Sequence, residues 1–240
     1  MITSMLKGKS ATLHKFQQLA GRLQHACLGI PGGNSLFTPI DMAMVGGPMS
    51  IPFTPTLRHA LEDWRAMIQH LKLNPTSVLQ LVQAPPNYVS YTDACGLGAG
   101  GVWCSGTTAI QPFLWQFEWP EDVQTQLRTR NNPHGTISIN TLELAGAVMA
   151  FLILEHKGHD LQYKHIVTYC DNMSAVAWAY KLRTSKNVMA GRLLRLLGMR
   201  IHAAKASNVV PIHVAGEQNI MADIVSRAFK TGKFLMQLQI

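Results

Sequence analysis

Apolar residues recur at helical spacing near the start of the chain. Leu13, Phe16, Leu19, Leu23 and Cys27 predict one amphipathic helix, with Thr12 placed to cap it. Leu57, Leu61, Trp64, Ile68 and Leu71 predict a second, opened by Thr54 and Pro55 and stopped at Asn74-Pro75. Between them, residues 29 to 55 carry five prolines and five glycines and read as irregular loop. Two such helices supply a small core, so this segment is expected to pack against something else.

The pattern changes at Pro85-Pro86. Tyr88 to Thr92 reads as a strand, and Gly98 to Cys104 and Thr107 to Phe117 as a hairpin turning at Ser105-Gly106. Residues 118 to 135 read as a polar loop or lid. Asn140 or Thr141 is expected to cap a helix running to about His156. His165 to Cys170 has the look of a buried strand, followed by a helix from Asn172 to about Leu182. A helix from Val188 to Lys205, a strand from Val209 to Val214 and a helix from Gln218 to Phe229 complete the order. That order, β β β α β α α β α, predicts an α/β fold: a mixed five-stranded sheet flanked by helices, preceded by a small helical segment. The expected organisation is a helical segment over 1–85, the sheet domain over 86–230 and a tail over 231–240.

Composition narrows the classes. The chain is 47% hydrophobic, enough to bury a core and too much for general disorder. Only 14% of residues are charged, and 21 Lys and Arg against 13 Asp and Glu leave a net charge of +8. That balance points to a polyanionic partner, or to a part of a larger assembly. The four cysteines form no C-x-x-C pair and read as reduced thiols of an intracellular protein, cytoplasmic or nuclear. The start, MITSMLKGKS, has no apolar segment of the secretory kind, so secretion is not expected. The longest apolar run, Leu144 to Leu154, is shorter than the about 20 residues of a membrane span and reads as a buried helix, so no membrane partner is expected.

With so few carboxylates, their placement carries information. Asp93 ends the first strand of the sheet. Glu143 stands in the first turn of the most apolar helix. Asp171 ends the buried strand and opens a helix, and Asp223 lies in the last helix. Taken singly, each has an ordinary explanation as a cap or a charge against a helix dipole. Together, on adjacent strand ends and helix turns, they can meet. Clustered carboxylates repel unless a cation holds them, and hard oxygen donors select Mg²⁺ or Mn²⁺ over zinc. Two such ions roughly 4 Å apart are a device for in-line attack on a phosphodiester.

The segments YTDACGLGAGGVW, INTLELAGAVMAF, VTYCDNMSAVAWAYK and HVAGEQNIMADIVSR resemble the four acidic motifs of the ribonuclease H domain of retroelement reverse transcriptases. The last motif, through Gly216, Asn219, Ala222, Asp223, Ser226 and Arg227, is closest in flavour to DIRS-type and gypsy-type elements. LQHACLGIPGGNSLF resembles the thumb-level segment of such elements, which makes residues 1–85 thumb- or connection-like. The resemblance implies a ribonuclease H-like fold and a Mg²⁺-dependent endonuclease that hydrolyses the RNA strand of RNA–DNA hybrids. It implies two Mg²⁺ ions, with Mn²⁺ able to substitute, held by Asp93, Glu143, Asp171 and Asp223 as the catalytic set. It also implies a partnership with the fingers and palm of the same polyprotein.

Two departures from the family pattern stand out. The loop AGEQNIMA, residues 215 to 222, has no histidine, and His213 lies earlier, on the strand. No Y-x-D-D pair is present, so polymerisation by this chain alone is not expected.

Residues 172 to 216 contain seven basic residues and no carboxylate. Lys181, Arg183, Lys186, Arg192 and Arg195 are the expected phosphate-binding stripe, with Arg200 and Lys205 further along. On the helix after Val188, Leu193, Leu197 and Ile201 are expected on another side from Arg192 and Arg195. By the resemblance, the main chain near Cys95 and Gly96 and the side chain of Asn172 also touch the hybrid. Trp103, Trp115, Trp119 and Trp178 are expected in the core rather than against bases. The alternative is a ribonuclease H-like module that binds nucleic acid or connects domains without catalysis.

Overall fold

The computed structural model describes residues 1–184 and 186–228; the expected tail over 231–240 and the end of the last helix at Phe229 lie outside them. In chain order the elements are α1 (Ile2–Leu6), β1 (Ser10–Thr12), α2 (Leu13–Ala26), α3 (Thr38–Met44), β2 (Ser50–Pro52) and α4 (Pro55–Leu73). Then come β3 (Tyr88–Ala94), β4 (Gly98–Ser105), β5 (Phe113–Glu118), α5 (Glu121–Thr125) and α6 (Ile139–His156). The rest are β6 (His165–Cys170), α7 (Met173–Lys181), α8 (Val188–Ala203), β7 (Asn208–His213) and α9 (Ile220–Arg227).

The chain forms two units. One comprises Met1–Val82 together with Lys181–Lys205; the other comprises Gln83–Tyr180 and the chain from Ala206 onward. The first therefore takes α8 out of the middle of the second, where a continuous boundary near residue 85 would have left it. The reason is local packing. Gly198 of α8 lies so close to the 3₁₀ turn Gly33–Leu36 and its flank that a Cβ there would meet Ser35 Oγ at 2.1 Å and Gly32 O at 2.5 Å. Thr12 and Thr54 cap α2 and α4 as predicted, accepting from Lys15 N and Leu57 N. Phe16, Leu36, Phe37, Ile40, Leu61 and Trp64 are almost completely buried in this unit's core. Residues 29 to 55 are thus more ordered than their Pro and Gly content predicts. They hold α3, β2 and two 3₁₀ turns, because burial of Leu36, Phe37 and Ile40 outweighs local loop preference.

The second unit is the mixed five-stranded sheet flanked by helices. Its strand order is β5-β4-β3-β6-β7, antiparallel from β5 to β3 and parallel from β3 to β7. The helices cover both faces. A Cβ on Gly146 of α6 would touch the Ala99 side chain, whereas one on Gly100 would strike Val225 and Ser226 of α9. Neighbouring residues on a strand point to opposite faces, so α6 and α9 pack on opposite sides. Helix α6 is long and apolar enough to cross a membrane by length and composition, and half of it is buried in this unit.

Several boundaries differ from expectation. Strand β5 starts at Phe113 rather than Thr107. The loop expected over 118–135 includes α5, whose first turn carries Glu121 and Asp122 against the helix dipole. The cap of α6 is Ser138, which accepts from Thr141 N, rather than Asn140 or Thr141. Helix α7 ends one residue before Leu182, whose φ of 50° cannot continue a right-handed helix.

Candidate metal centre

Strand register brings two of the four acids together. The parallel pairing of β3 with β6 sets Thr92 opposite Cys170. The next residue on each side is Asp93 and Asp171, so both sit at the carboxyl end of the sheet where central strands finish. Glu143, in the first turns of α6, joins them from one face: its carboxylate, Cys170 Sγ and Asp171 have ligand atoms within 4.8 Å of one another. From the other face, α9 delivers Ser226 to Asp93 by a short side-chain hydrogen bond. Asp223, one turn earlier on α9, acts on Asp93 through its charge. All four acids are within electrostatic reach of this cluster.

The electrostatics are those of crowded anions. Asp93 and Glu143 are only 4% and 6% exposed. Burial first, then the charges of Asp93 and Asp171, pushes Glu143 up to about 9 from an ordinary 4.5. The Ala94 amide and the Cys170 thiol pull it the other way without prevailing. Asp93 is raised too, mainly by burial. The Ser226 hydroxyl lowers it, the charges of Asp171 and Asp223 raise it, and Arg227 lowers it. Arg227 is ion-paired to Asp223 one turn away on α9. Burial holds the Cys170 thiol far above its ordinary range, so it stays protonated and is a donor to Glu143 rather than an anionic ligand. Four carboxylates with one arginine at the edge are a donor set that suits a hard divalent cation.

The last motif finds its physical explanation here. Asn219, 1% exposed, donates from Nδ2 to the Thr92 carbonyl at 2.9 Å and so ties the start of α9 to the strand end beside Asp93. Gly216 lies next to Asp171 Oδ2, and Ala222 is completely buried. Ser226 is the residue that sequence reasoning left out of the site. Its signal was its place in the motif, three residues after Asp223 and thus on the same helix face. His213, set aside as too early in the sequence, has Nε2 3.1 Å from the main-chain oxygen of Asp171.

The expected nucleic-acid residues fare unequally. Cys95 already uses both main-chain groups: its N–H donates to Gly98 O and its carbonyl accepts from Trp119 Nε1. Its thiol lies 3.1 Å from Ser226 O, which leaves Gly96 as the free end of that turn. Asn172 caps α7 by accepting from Ala175 N and donates to Asn140 Oδ1 at 2.9 Å. In the first unit, Arg183 is ion-paired with Asp41 and Arg195 with Asp63. The stripe without local carboxylates therefore finds its counter-ions in the N-terminal segment. Lys181, Lys186 and Arg192 are exposed. Trp103, Trp115 and Trp119 are in the core, as expected, whereas Trp178 is only partly buried.

No family model matches the sequence, and no curated protein does. Among solved structures, the chain is similar to RNase H1 from the halophilic archaeon Halobacterium salinarum NRC-1, at 15% identity over 59% of this chain and 95% of that one, with a TM-score of 0.40. It is similar to LC11-RNase H1 in complex with an RNA/DNA hybrid, at 16% identity over 57% and 92% of the two chains, with a TM-score of 0.42. It is also similar to the prototype foamy virus protease–reverse transcriptase, at 12% identity over 85% of this chain but only 24% of that one, with a TM-score of 0.34. Two of these are ribonucleases H1 and the third is a viral protease–reverse transcriptase.

Proposed function

We propose that this protein is a two-metal-ion endoribonuclease that hydrolyses the RNA strand of RNA–DNA hybrids, as the C-terminal part of a retroelement reverse transcriptase of the DIRS or gypsy type. The observation that carries the reading is the crowding of Asp93, Glu143, Asp171 and Asp223 at one end of the sheet. Crowded carboxylates repel one another unless a cation holds them, which favours a divalent ion as their partner. The motifs that deliver these acids are the ones that resemble the ribonuclease H domain.

Asp93, Glu143, Asp171 and Asp223 would hold the Mg²⁺ pair, with Mn²⁺ as a substitute. Bound there, the ions would supply an activated water and counter-charge for the leaving 3′ oxygen. The chain's own groups do the rest. Ser226 fixes the rotamer of Asp93, and Arg227 pairs with Asp223 while its charge also tempers Asp93. Asn219 and the β3–β6 register hold the two strand ends in place. Gly96, Lys181, Lys186 and Arg192 are the proposed contacts to the hybrid, which is recognised by backbone shape and 2′-hydroxyls. Asn172 serves the site by positioning α7 against Asn140.

The experiment is cleavage of a hybrid labelled on its RNA strand, with duplex DNA, duplex RNA and single strands alongside. Cleavage of the hybrid alone, dependent on Mg²⁺ or Mn²⁺ and lost in Asp171→Asn, is expected. An intact hybrid in either metal at low salt would overturn the catalytic reading. Hybrid binding without cleavage or metal uptake would favour the connecting module.

A further inference from the structure

The fold of the first unit brings two imidazole rings together. His70 stands in the last turn of α4 and His202 in the last turn of α8. They are 132 positions apart in sequence, yet His70 Nδ1 and His202 Nε2 lie 3.1 Å from each other. The rings meet edge to face, with centroids 5.2 Å apart and planes at 75°. Each ring turns one nitrogen toward the other.

That spacing has a simple geometric reading. Zinc–imidazole bonds are about 2.0–2.1 Å long. Two nitrogens on one such ion stand roughly 2.9 Å apart at a right angle and roughly 3.3 Å apart at a tetrahedral angle. The observed 3.1 Å falls between them. A shared hydrogen bond also brings two nitrogens to this distance, so the pair is ready for either a proton or a cation. His202 is half-buried and held below its ordinary pKa by burial and by His70, so its ring is neutral and its lone pair available. His70 is on the surface, which leaves an approach for the ion and positions for water.

We propose that His70 and His202 form a binding site for an imidazole-preferring divalent transition ion (Zn²⁺, Ni²⁺ or Cu²⁺) that clasps α8 to α4. Mg²⁺ is a poor occupant, because it demands oxygen donors. The two helices come from segments separated by most of the second unit's chain. A bond between their last turns therefore secures the segment Lys181–Lys205 in the unit it belongs to. This site is independent of the carboxylate cluster and of the nuclease reading.

The test uses the full chain with excess Mg²⁺ throughout, so that the carboxylates are occupied. Added Zn²⁺ or Ni²⁺ should raise the thermal midpoint by about 2–4 °C. The rise should disappear in both His70→Ala and His202→Ala, each compared with its own melt in chelator. Cu²⁺ bound to the unsubstituted protein should show hyperfine coupling to two imidazole nitrogens in its electron paramagnetic resonance spectrum. No shift in the unsubstituted protein, a shift retained in either variant, or fewer than two coupled nitrogens would overturn the site. The spectrum decides even where a variant fails to fold.

Discussion

Arg183 grips Asp41 with both prongs of its guanidinium, Nε to Oδ2 and Nη2 to Oδ1, across 142 positions of sequence. The same guanidinium lies 4.7 Å over the ring of Phe37. With side chains 28% and 11% exposed, the pair is neither a loose surface contact nor a fully dry one. Removing either partner should cost about 2 kcal/mol, between the values typical of exposed and buried pairs. A double-mutant cycle of Arg183→Gln and Asp41→Asn, read by urea denaturation, should return a coupling of about 1 kcal/mol or more. Hybrid affinity should respond less to Arg183→Gln than to Arg192→Gln, because Arg183 is already spoken for.

Glu143 makes the metal-free protein sensitive to alkali. The folded chain keeps a proton on this carboxyl up to about 9, whereas the unfolded chain releases it near 4.5. The stability that comes from holding that proton is complete below the lower value and is lost as pH rises toward the upper one. Melts in chelator should therefore show falling midpoints across that window, and Glu143→Gln should flatten the curve. Mg²⁺ should restore more stability at the alkaline end than at the acid end. Equal effects of Mg²⁺ at both ends would contradict the placement of the cation beside Glu143.

Ser226→Ala removes the hydroxyl bound to Asp93 and touches no other carboxylate. Residues that orient a metal ligand typically change affinity or activity by about 10–100-fold. Hybrid cleavage should drop by that factor, with a larger Mg²⁺ requirement. The loss of stability should stay near about 1 kcal/mol.

Gly100→Ala tests how closely α9 is seated. An added Cβ would sit 2.6 Å from Val225 Cγ1 and 2.8 Å from Ser226 N, and backbone cannot yield as a side-chain tip can. The expected cost is about 3 kcal/mol, the upper end for overpacking. Because the displaced residue is Ser226, cleavage should fall even where the variant remains folded. Circular dichroism melts and the hybrid assay together separate the two effects.

The four acids were legible because chemistry of this kind needs rare residue types at element ends, and strand and helix ends can be placed from the pattern alone. Asp93 and Asp171 each follow a β-rich run, and the parallel register that joins them follows from the crossover order. What periodicity cannot supply is the partner of a face. The helix from Val188 was expected to set Leu193, Leu197 and Ile201 on one side; it buries Leu194, Leu197 and Ile201, against segments that precede it by some 150 residues. For the same reason Asp41 and Asp63 were invisible as counter-ions, and the basic stripe looked less neutralised than it is. His213 is on the strand, as read from the sequence, and the pairing of β6 with β7 is what brings its ring to the Asp171 main chain.

The interruption of one unit by the other bears on how the protein is made. A ribosome releases residues 1–82 before the chain from 181 onward exists, and α8 follows only after the stretch 83–180 has been synthesised. At about 5–20 residues per second, that is a wait on the order of 5–20 s. During it, the surface around Gly32 and Ser35 that receives Gly198 stands uncovered on the nascent chain. The unit begun by residues 1–82 is therefore completed only after the main stretch of the other unit has been made.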